Sequence, residues 1–319
     1  MNTKPATRHP RAVTAHRARG LILVLLFGIR PLAALPASVS FPITSDTYID
    51  SREANQELNY GGAKTIKTVI NNTVTGDGSV SRGLFHLPEE VWVYDPARIM
   101  SARVFFYVWQ DNTGDRDVTL FPLTGGFYEG TGNGGAPADG ATWLTCDGTN
   151  AWPTAGGVFD ASHPVVGEKL DILDPDMHDR FFRWDITELL KNPTVRMDLQ
   201  NHGALLSITE DPIPSSGMPR APFTSSDDPG TAESFRPRVE LEITASAPMI
   251  RIAQTPAEGL TIAVSQATPH VTHTLERAFD LTAHDWTPVA SFSIPGTSTN
   301  CAVALPPGVD RVFYRLSIE

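Results

Sequence analysis

Along most of this chain apolar and polar residues alternate with a period of two, the repeat of a strand with one buried face. Residues 38–50 (SVSFPITSDTYID) set β-branched and aromatic side chains among polar ones and predict a first strand. Residues 65–70 (TIKTVI) and 81–87 (SRGLFHL) predict the next two, parted by a Gly/Thr/Asn-rich turn. The clearest strand is 100–109 (MSARVFFYVW). It puts Ala102, Val104, Phe106 and Val108 on one face and Ser101, Arg103, Phe105, Tyr107 and Trp109 on the other. Aromatics on both faces predict cover on both sides, at least in part. Further strands are expected at 117–123, 165–171, 180–184, 202–208 and 238–244. The one expected helix is a turn or two after Asp185 or Thr187, ending before Pro193.

The pattern breaks down over residues 127–160 (FYEGTGNGGAPADGATWLTCDGTNAWPTAGGVFD), where glycine recurs and no period holds. A loop this long in a compact domain is usually functional or disordered. Trp143 and Trp152 within it argue that it is pinned down on a rigid frame. After 244 the composition shifts to a short linker, 245–248 (ASAP), and alternation resumes on a smaller scale. Strands are expected at 249–253, 260–265, 272–277, 287–294, 301–305 and 312–318, a spacing that suits a small β-sandwich. The expected organisation is therefore all-β: a sandwich over 38–245 and a second, smaller one over 249–319, each able to fold alone across so short a linker.

The first 37 residues stand apart. Five basic residues (Lys4, Arg8, Arg11, Arg17, Arg19) precede an apolar run of ten, GLILVLLFGI, and then small residues at Ala33, Ala34 and Ala37. That is the order of a secretory signal peptide, and the run is short for a membrane span. Export to the extracellular space or the cell surface is the expectation, with no membrane span after cleavage; a retained anchor is the other reading. Removing 1–37 takes away six basic residues (those five and Arg30) and no acidic ones, so the formal charge moves from −11 to −17. Such a surface excludes nucleic acid as a natural partner.

Only two cysteines occur, Cys146 and Cys301, which excludes a disulfide scaffold and leaves a single bridge between them open. Gly130, Gly132 and Gly135 match a dinucleotide fingerprint, but Ala136-Pro137-Ala138-Asp139-Gly140 follows and no helix N-terminus can start there. There is no HExxH, no paired-cysteine metal site and no G-x-S-x-G elbow. Glu129 with Asp139 or Asp160 could act as a glycosidase pair; fixing loop backbone is the more ordinary use of such carboxylates. Asp171, Asp174, Asp176 and Asp179, with Asp46 and Asp50, offer hard oxygen ligands for a structural calcium, though without EF-hand spacing. No other cofactor is expected.

Ten short motifs in order, SDTYID, NYGG, SRGLFHL, SARVFFYV, FYEGTG, GATW, GGVFD, WDIT, GALLSI and FRPRVELEI, span residues 44–243 and resemble the DNRLRE-domain family. Part of that family is classed as carbohydrate-binding module family 96. The resemblance implies a secreted jelly-roll β-sandwich that binds acidic polysaccharide such as alginate and has no catalytic activity of its own. Two departures are Phe127, where the family more often has tryptophan, and a longer loop before SRGLFHL. The stretch THTLERAFDLTAHDW with the closing RVFYRLSIE is similar to the small fibronectin-III-like modules that end many secreted bacterial proteins.

Four residues are candidates for the binding site. Lys64, Lys67 and Arg82 are cations on adjacent expected strands of an acidic protein, a strip that could hold uronate carboxylates, with arginine supplying a bidentate fork. Trp152 could give a sugar a stacking face, or pin the loop through its indole N–H. The expected function is polysaccharide binding, polyuronate above all. An adhesion protein and a polysaccharide lyase or hydrolase are the rivals.

Overall fold

The computed structural model describes residues 36–319 apart from 75, 136–138, 175, 177, 211, 215–216, 245–248, 256–258, 266–268, 280–284, 294, 296–297, 304–311 and 319. For 249–260 and 317–318 only the backbone is described. The expected signal peptide and linker therefore lie outside the described residues, apart from Pro36 and Ala37.

The protein is all-β, with antiparallel sheets. In chain order the first module has β1 (Pro36–Pro42), β2 (Asp46–Asp50), β3 (Thr65–Ile70), β4 (Val80–Phe85), β5 (Ile99–Val108), β6 (Val118–Pro122), β7 (Val165–Val166), β8 (Glu168–Lys169) and β9 (Arg180–Asp185). Two helices follow, α1 (Thr187–Lys191) and α2 (Pro193–His202), and then β10 (Ala204–Ile208), β11 (Arg220–Thr224) and β12 (Arg238–Thr244).

Two layers emerge from the pairing. In one, β5 lies between β12, which carries β1 on its outer edge, and β9, which carries β8; β11 and β3 continue from the end of β5. In the other, the order is β2-β4-β10-β6-β7. The layers join where Val69 and Ile70 of β3 pair with Ser81 and Val80 of β4.

Between the layers lies the main core. Strict alternation gives β12 its inward Val239, Leu241 and Ile243, all fully buried, and β5 its Val104, Phe106 and Val108. Phe106, Phe182, Trp184 and Phe223 pack ring against ring at 5.5–6.0 Å, and the Trp184 indole donates to the Val118 carbonyl at 3.0 Å. Each such side chain contributes roughly 2–3 kcal/mol by leaving water. The expected cover of β5 on its other face is present in part: Phe105 is 7% exposed beneath the Arg238 guanidinium, whose carbon lies 4.7 Å from the ring centre, while Trp109 just beyond the strand is 43% exposed.

The structure departs from the local pattern in three places. Residues 38–50 form two strands in different layers, because β1 pairs with β12 and β2 with β4. Strand β11 contains Pro222, which hid it from the pattern; its Pro222 faces Lys67 in the β3 register. Pro193 does not stop the helical segment but opens α2, where Asn192 accepts from the Thr194 and Val195 amides and Pro stands at the first helical position. His202 thus ends a helix and does not begin β10.

The C-terminal residues form two three-stranded sheets. Their strands are β13 (Met249–Thr255), β14 (Gly259–Ser265), β15 (Thr272–Ala278), β16 (Thr287–Ser293), β17 (Ser298–Val303) and β18 (Phe313–Ile318), ordered β13-β14-β17 and β16-β15-β18. Ile262, Val264, Leu275 and Val303 are buried in their shared core. This sandwich also touches the first. The Tyr94 hydroxyl donates to the Pro269 carbonyl at 2.9 Å, His270 meets the Phe41 ring edge-on at 5.3 Å, and Val271 joins the first module's core. His270 takes a left-handed φ of 58° to make that turn.

Candidate functional site

Strand β4 decides where Arg82 points. The row Thr47–Leu84–Leu205–Phe121 runs across β2, β4, β10 and β6, and Ile49 pairs with Arg82 on that same face. This face looks away from the main core, and loop 127–160 lies over it. A second core results: Ile49, Leu84, Leu123 and Leu205 from the sheet meet Ala141 and Trp152 from the loop, with Trp143, Val158 and Phe159 at its margin.

Polar contacts hold the loop down. Asn59, fully buried, donates through Nδ2 to the Glu129 and Ala141 carbonyls (2.7 and 3.0 Å) and accepts at Oδ1 from the Gly61 and Gly132 amides. Its own carbonyl takes the Gly134 amide. Gly61 is required here, since a Cβ would lie 2.3 Å from the Glu129 carbonyl oxygen. Trp152 is 6% exposed and its indole donates to the Thr142 carbonyl at 2.9 Å, so of its two expected uses the geometry displays the pin.

Arg82 is a clasp between sheet and loop. Its Nε and one terminal nitrogen grip both oxygens of Glu210 at 2.7 and 2.8 Å, and the other terminal nitrogen donates to the Gly156 carbonyl at 2.7 Å. The guanidinium lies over Trp143 and Phe159, 5.1 and 5.4 Å from their ring centres. Burial pushes the Glu210 carboxyl up, but the Arg82 hydrogen bonds and charge outweigh it and hold the group below its ordinary range. These donors are already taken in the folded chain.

Lys64 and Lys67 are different: both are exposed. Lys67 points out from β3 and its ammonium stands 5.3 Å from the centre of the Tyr48 ring. Tyr48 stacks on Tyr60 with centres 4.1 Å apart and planes 19° from parallel. Burial first, then the Tyr60 and Asp50 charges, pushes the Tyr48 phenol up; burial and Asp50 do the same to Tyr60. Asp50 is itself fixed by the Arg52 amide and the Asn55 side chain at 2.9 and 2.8 Å. Arg52 leads into an open cleft of about 680 Å³, lined by Ser51, Arg52, Glu53, Gln56 and Asp77 among others. The structure thus groups Lys67 with two tyrosines and pairs Arg52 with Asp77 at 3.3 Å, whereas Arg82 and Trp152 belong to the loop layer. Nothing in the local pattern singled out Tyr48, Tyr60 or Arg52, although SDTYID and NYGG are two of the motifs that carried the resemblance. Searches of protein-family models and of curated proteins find no match to this chain.

The carboxylates weighed for catalysis all take backbone amides. Asp139 holds Thr131, Asp160 holds Ser162, and Glu129 accepts from the Asp46 amide at 2.7 Å. Asp46 in turn accepts from Ser225 Oγ and the Ser226 amide. Burial raises both members of this seam, Asp46 to about 6 and Glu129 to about 7, the latter helped by the Asp46 charge. In the acidic stretch 171–179, Asp174 and Asp179 spend oxygens on local amides and on the Tyr107 hydroxyl. Among the described residues no group of three or more His, Cys, Asp or Glu side chains is placed to hold a metal. Cys146 and Cys301 are both free thiols. Among the described residues no helix is long and apolar enough to cross a membrane.

Proposed function

We propose that this is a secreted, non-catalytic polysaccharide-binding protein of the DNRLRE/family 96 type, whose first sandwich takes a polyuronate such as alginate. The observation that carries the reading is the exposed Lys67 ammonium over the Tyr48 ring, with exposed Lys64 three residues before it. Ammonium groups answer the carboxylates of such a chain, and Tyr48 and Tyr60, 3% and 8% exposed, back Lys67 from within the fold. Lys64 extends the positive strip. Overall repulsion from a chain of −17 after signal removal fades beyond roughly 8–10 Å at physiological salt, while the contacts persist.

Affinity electrophoresis through alginate gels tests the site. Lys67→Ala and Lys64→Ala are expected each to weaken binding by about 1–3 kcal/mol, the range for charge-assisted contacts, and added salt should weaken wild-type binding too. Both variants migrating like the wild type would remove the site from this strip. Incubation with alginate, pectin and β-glucans should release no new reducing ends or unsaturated products. Turnover that vanishes in Glu129→Gln would favour a lyase or hydrolase instead.

A further inference from the structure

The first sandwich has a second outer face, the side of β1-β12-β5-β9-β8 that points away from the core, and no core cluster lies on it. Register places its residues in rows. Ser40, Glu240, Arg103 and Asp185 form one; Pro42, Arg238, Phe105, Arg183 and Glu168 form the next; Tyr107 and Phe181 stand side by side in the third. A sheet face turned to water is ordinarily polar. Here three rings touch instead: Tyr107 is 5.5 Å from Phe181 and 4.5 Å from Phe235, and Arg238 links Phe181 to a fourth, Phe105, at 5.0 and 4.7 Å.

The charges on this face are set in pairs. Arg238 donates to Glu240 at 2.7 Å, Arg183 to Glu168 at 2.9 Å, and Arg103 stands opposite Asp185 in the ladder. Glu242, which accepts from Ser101 Oγ at 2.9 Å, and Asp179, which accepts from the Tyr107 hydroxyl, add two carboxylates, so three guanidinium groups meet five carboxylates. A patch of net negative charge, on a chain that is itself acidic, repels a polyanion. Its fixed donors and acceptors suit hydroxyl groups, and its rings suit flat C–H surfaces. Charged groups also stand between the rings at the middle of the face, where the centre of a protein–protein interface is depleted of charge. Five strands give a width of roughly 20 Å, room for several sugar rings in a line.

We propose that this face is a second glycan-binding surface, for an uncharged pyranose polymer, with Tyr107 and Phe181 as the stacking platform and Arg103 and Arg183 as positioning groups for hydroxyls. It is separate from the Lys64–Lys67 strip and does not depend on it.

Native gels containing hydroxyethylcellulose, galactomannan or alginate test the assignment on the full chain. At least one neutral polymer should retard the wild type, and added salt should leave that retardation in place. Tyr107→Ala and Phe181→Ala should each lower the apparent affinity by about tenfold, the scale of losing one aromatic platform. Phe181→Tyr should restore it, and Lys64→Ala with Lys67→Ala should not change it. Arg103→Ala, outside the aromatic packing, should also weaken the neutral polymer and keeps the test open should a ring variant fail to fold. No retardation by either neutral polymer, or retardation unchanged in Arg103→Ala and Phe181→Ala, would overturn the proposal. Retention of alginate alone would overturn it too, while leaving the polyuronate reading intact.

Discussion

Arg82 and Arg238 make the same contacts in two different settings. Each sits over two aromatic rings and each grips a glutamate, Glu210 and Glu240 respectively. Arg82 lies beneath the loop with 13% of its side chain exposed, while Arg238 stands on the open face at 26%. Identical chemistry thus serves to seal a layer on one side of the sandwich and to furnish a surface on the other. The loop, not the strands, makes that difference: both sheets alternate in the same way, and only the one under 127–160 acquires a second core.

The largest expected effect follows from the sealed side. Trp152→Ala removes a buried indole and should cost about 3–5 kcal/mol in urea unfolding, whereas Phe181→Ala on the open face should cost far less. Equal losses would mean that the two faces are equally buried in solution. Next comes the pair of arginines. Arg82→Ala leaves Glu210 without its counter-ion under the loop and should cost about 3 kcal/mol, against less than about 1 for Arg238→Ala. A double-mutant cycle between Arg82 and Glu210 that returns no coupling would remove the clasp.

A smaller effect concerns acidity. The folded values of Asp46 and Glu129, about 6 and about 7, exceed the unfolded ones near 4. The folded state then binds more protons, so their stabilisation is full below about pH 4 and is lost as pH rises through 6–7. The melting temperature should be higher at pH 5 than at pH 8, and Glu129→Gln should flatten that slope; a rise toward pH 8 in the wild type would contradict it. Carboxylates held low, such as Asp77 and Asp160, act in the opposite sense but below that window. Smallest of all, Tyr94→Phe deletes the bond to Pro269 and should cost about 1 kcal/mol. The loss should be visible as earlier melting of the C-terminal sandwich alone.

Much of the fold was legible because burial and alternation coincide. Strands β5 and β12 and the six C-terminal strands stand within a few residues of where the two-residue period puts them. What local pattern could not show is which strand meets which. Residues 38–50 read as one run because both halves alternate, yet the halves join different layers. Pro193 reads as the end of a helix, yet it opens α2, where a missing amide does no harm; β11, with Pro222 inside it, shows no strand pattern. The site was less legible still. Arg82 was noted as a cation, but its partner lies 128 residues away, and Lys67 acquires its aromatic neighbour only when β2 is brought near β3. A sequence shows charge and ring content, while the fold decides which charges are already spent.

The pairing of β1 with β12 has a consequence in time. Pro36 meets Thr244 and Pro42 meets Arg238, so the first strand of the module is zipped against its last. Strands β10 and β11 also arrive late in the chain, and β4 and β3 have no partners along those edges until they do. A polypeptide growing from its N-terminus therefore cannot complete the β2-β4-β10-β6-β7 layer until residue 208 has been made, nor the other layer until residue 244. Contacts of such long range are slow to form, which makes the module a late and cooperative folder: any chain ending before β12 should be open to proteases from end to end.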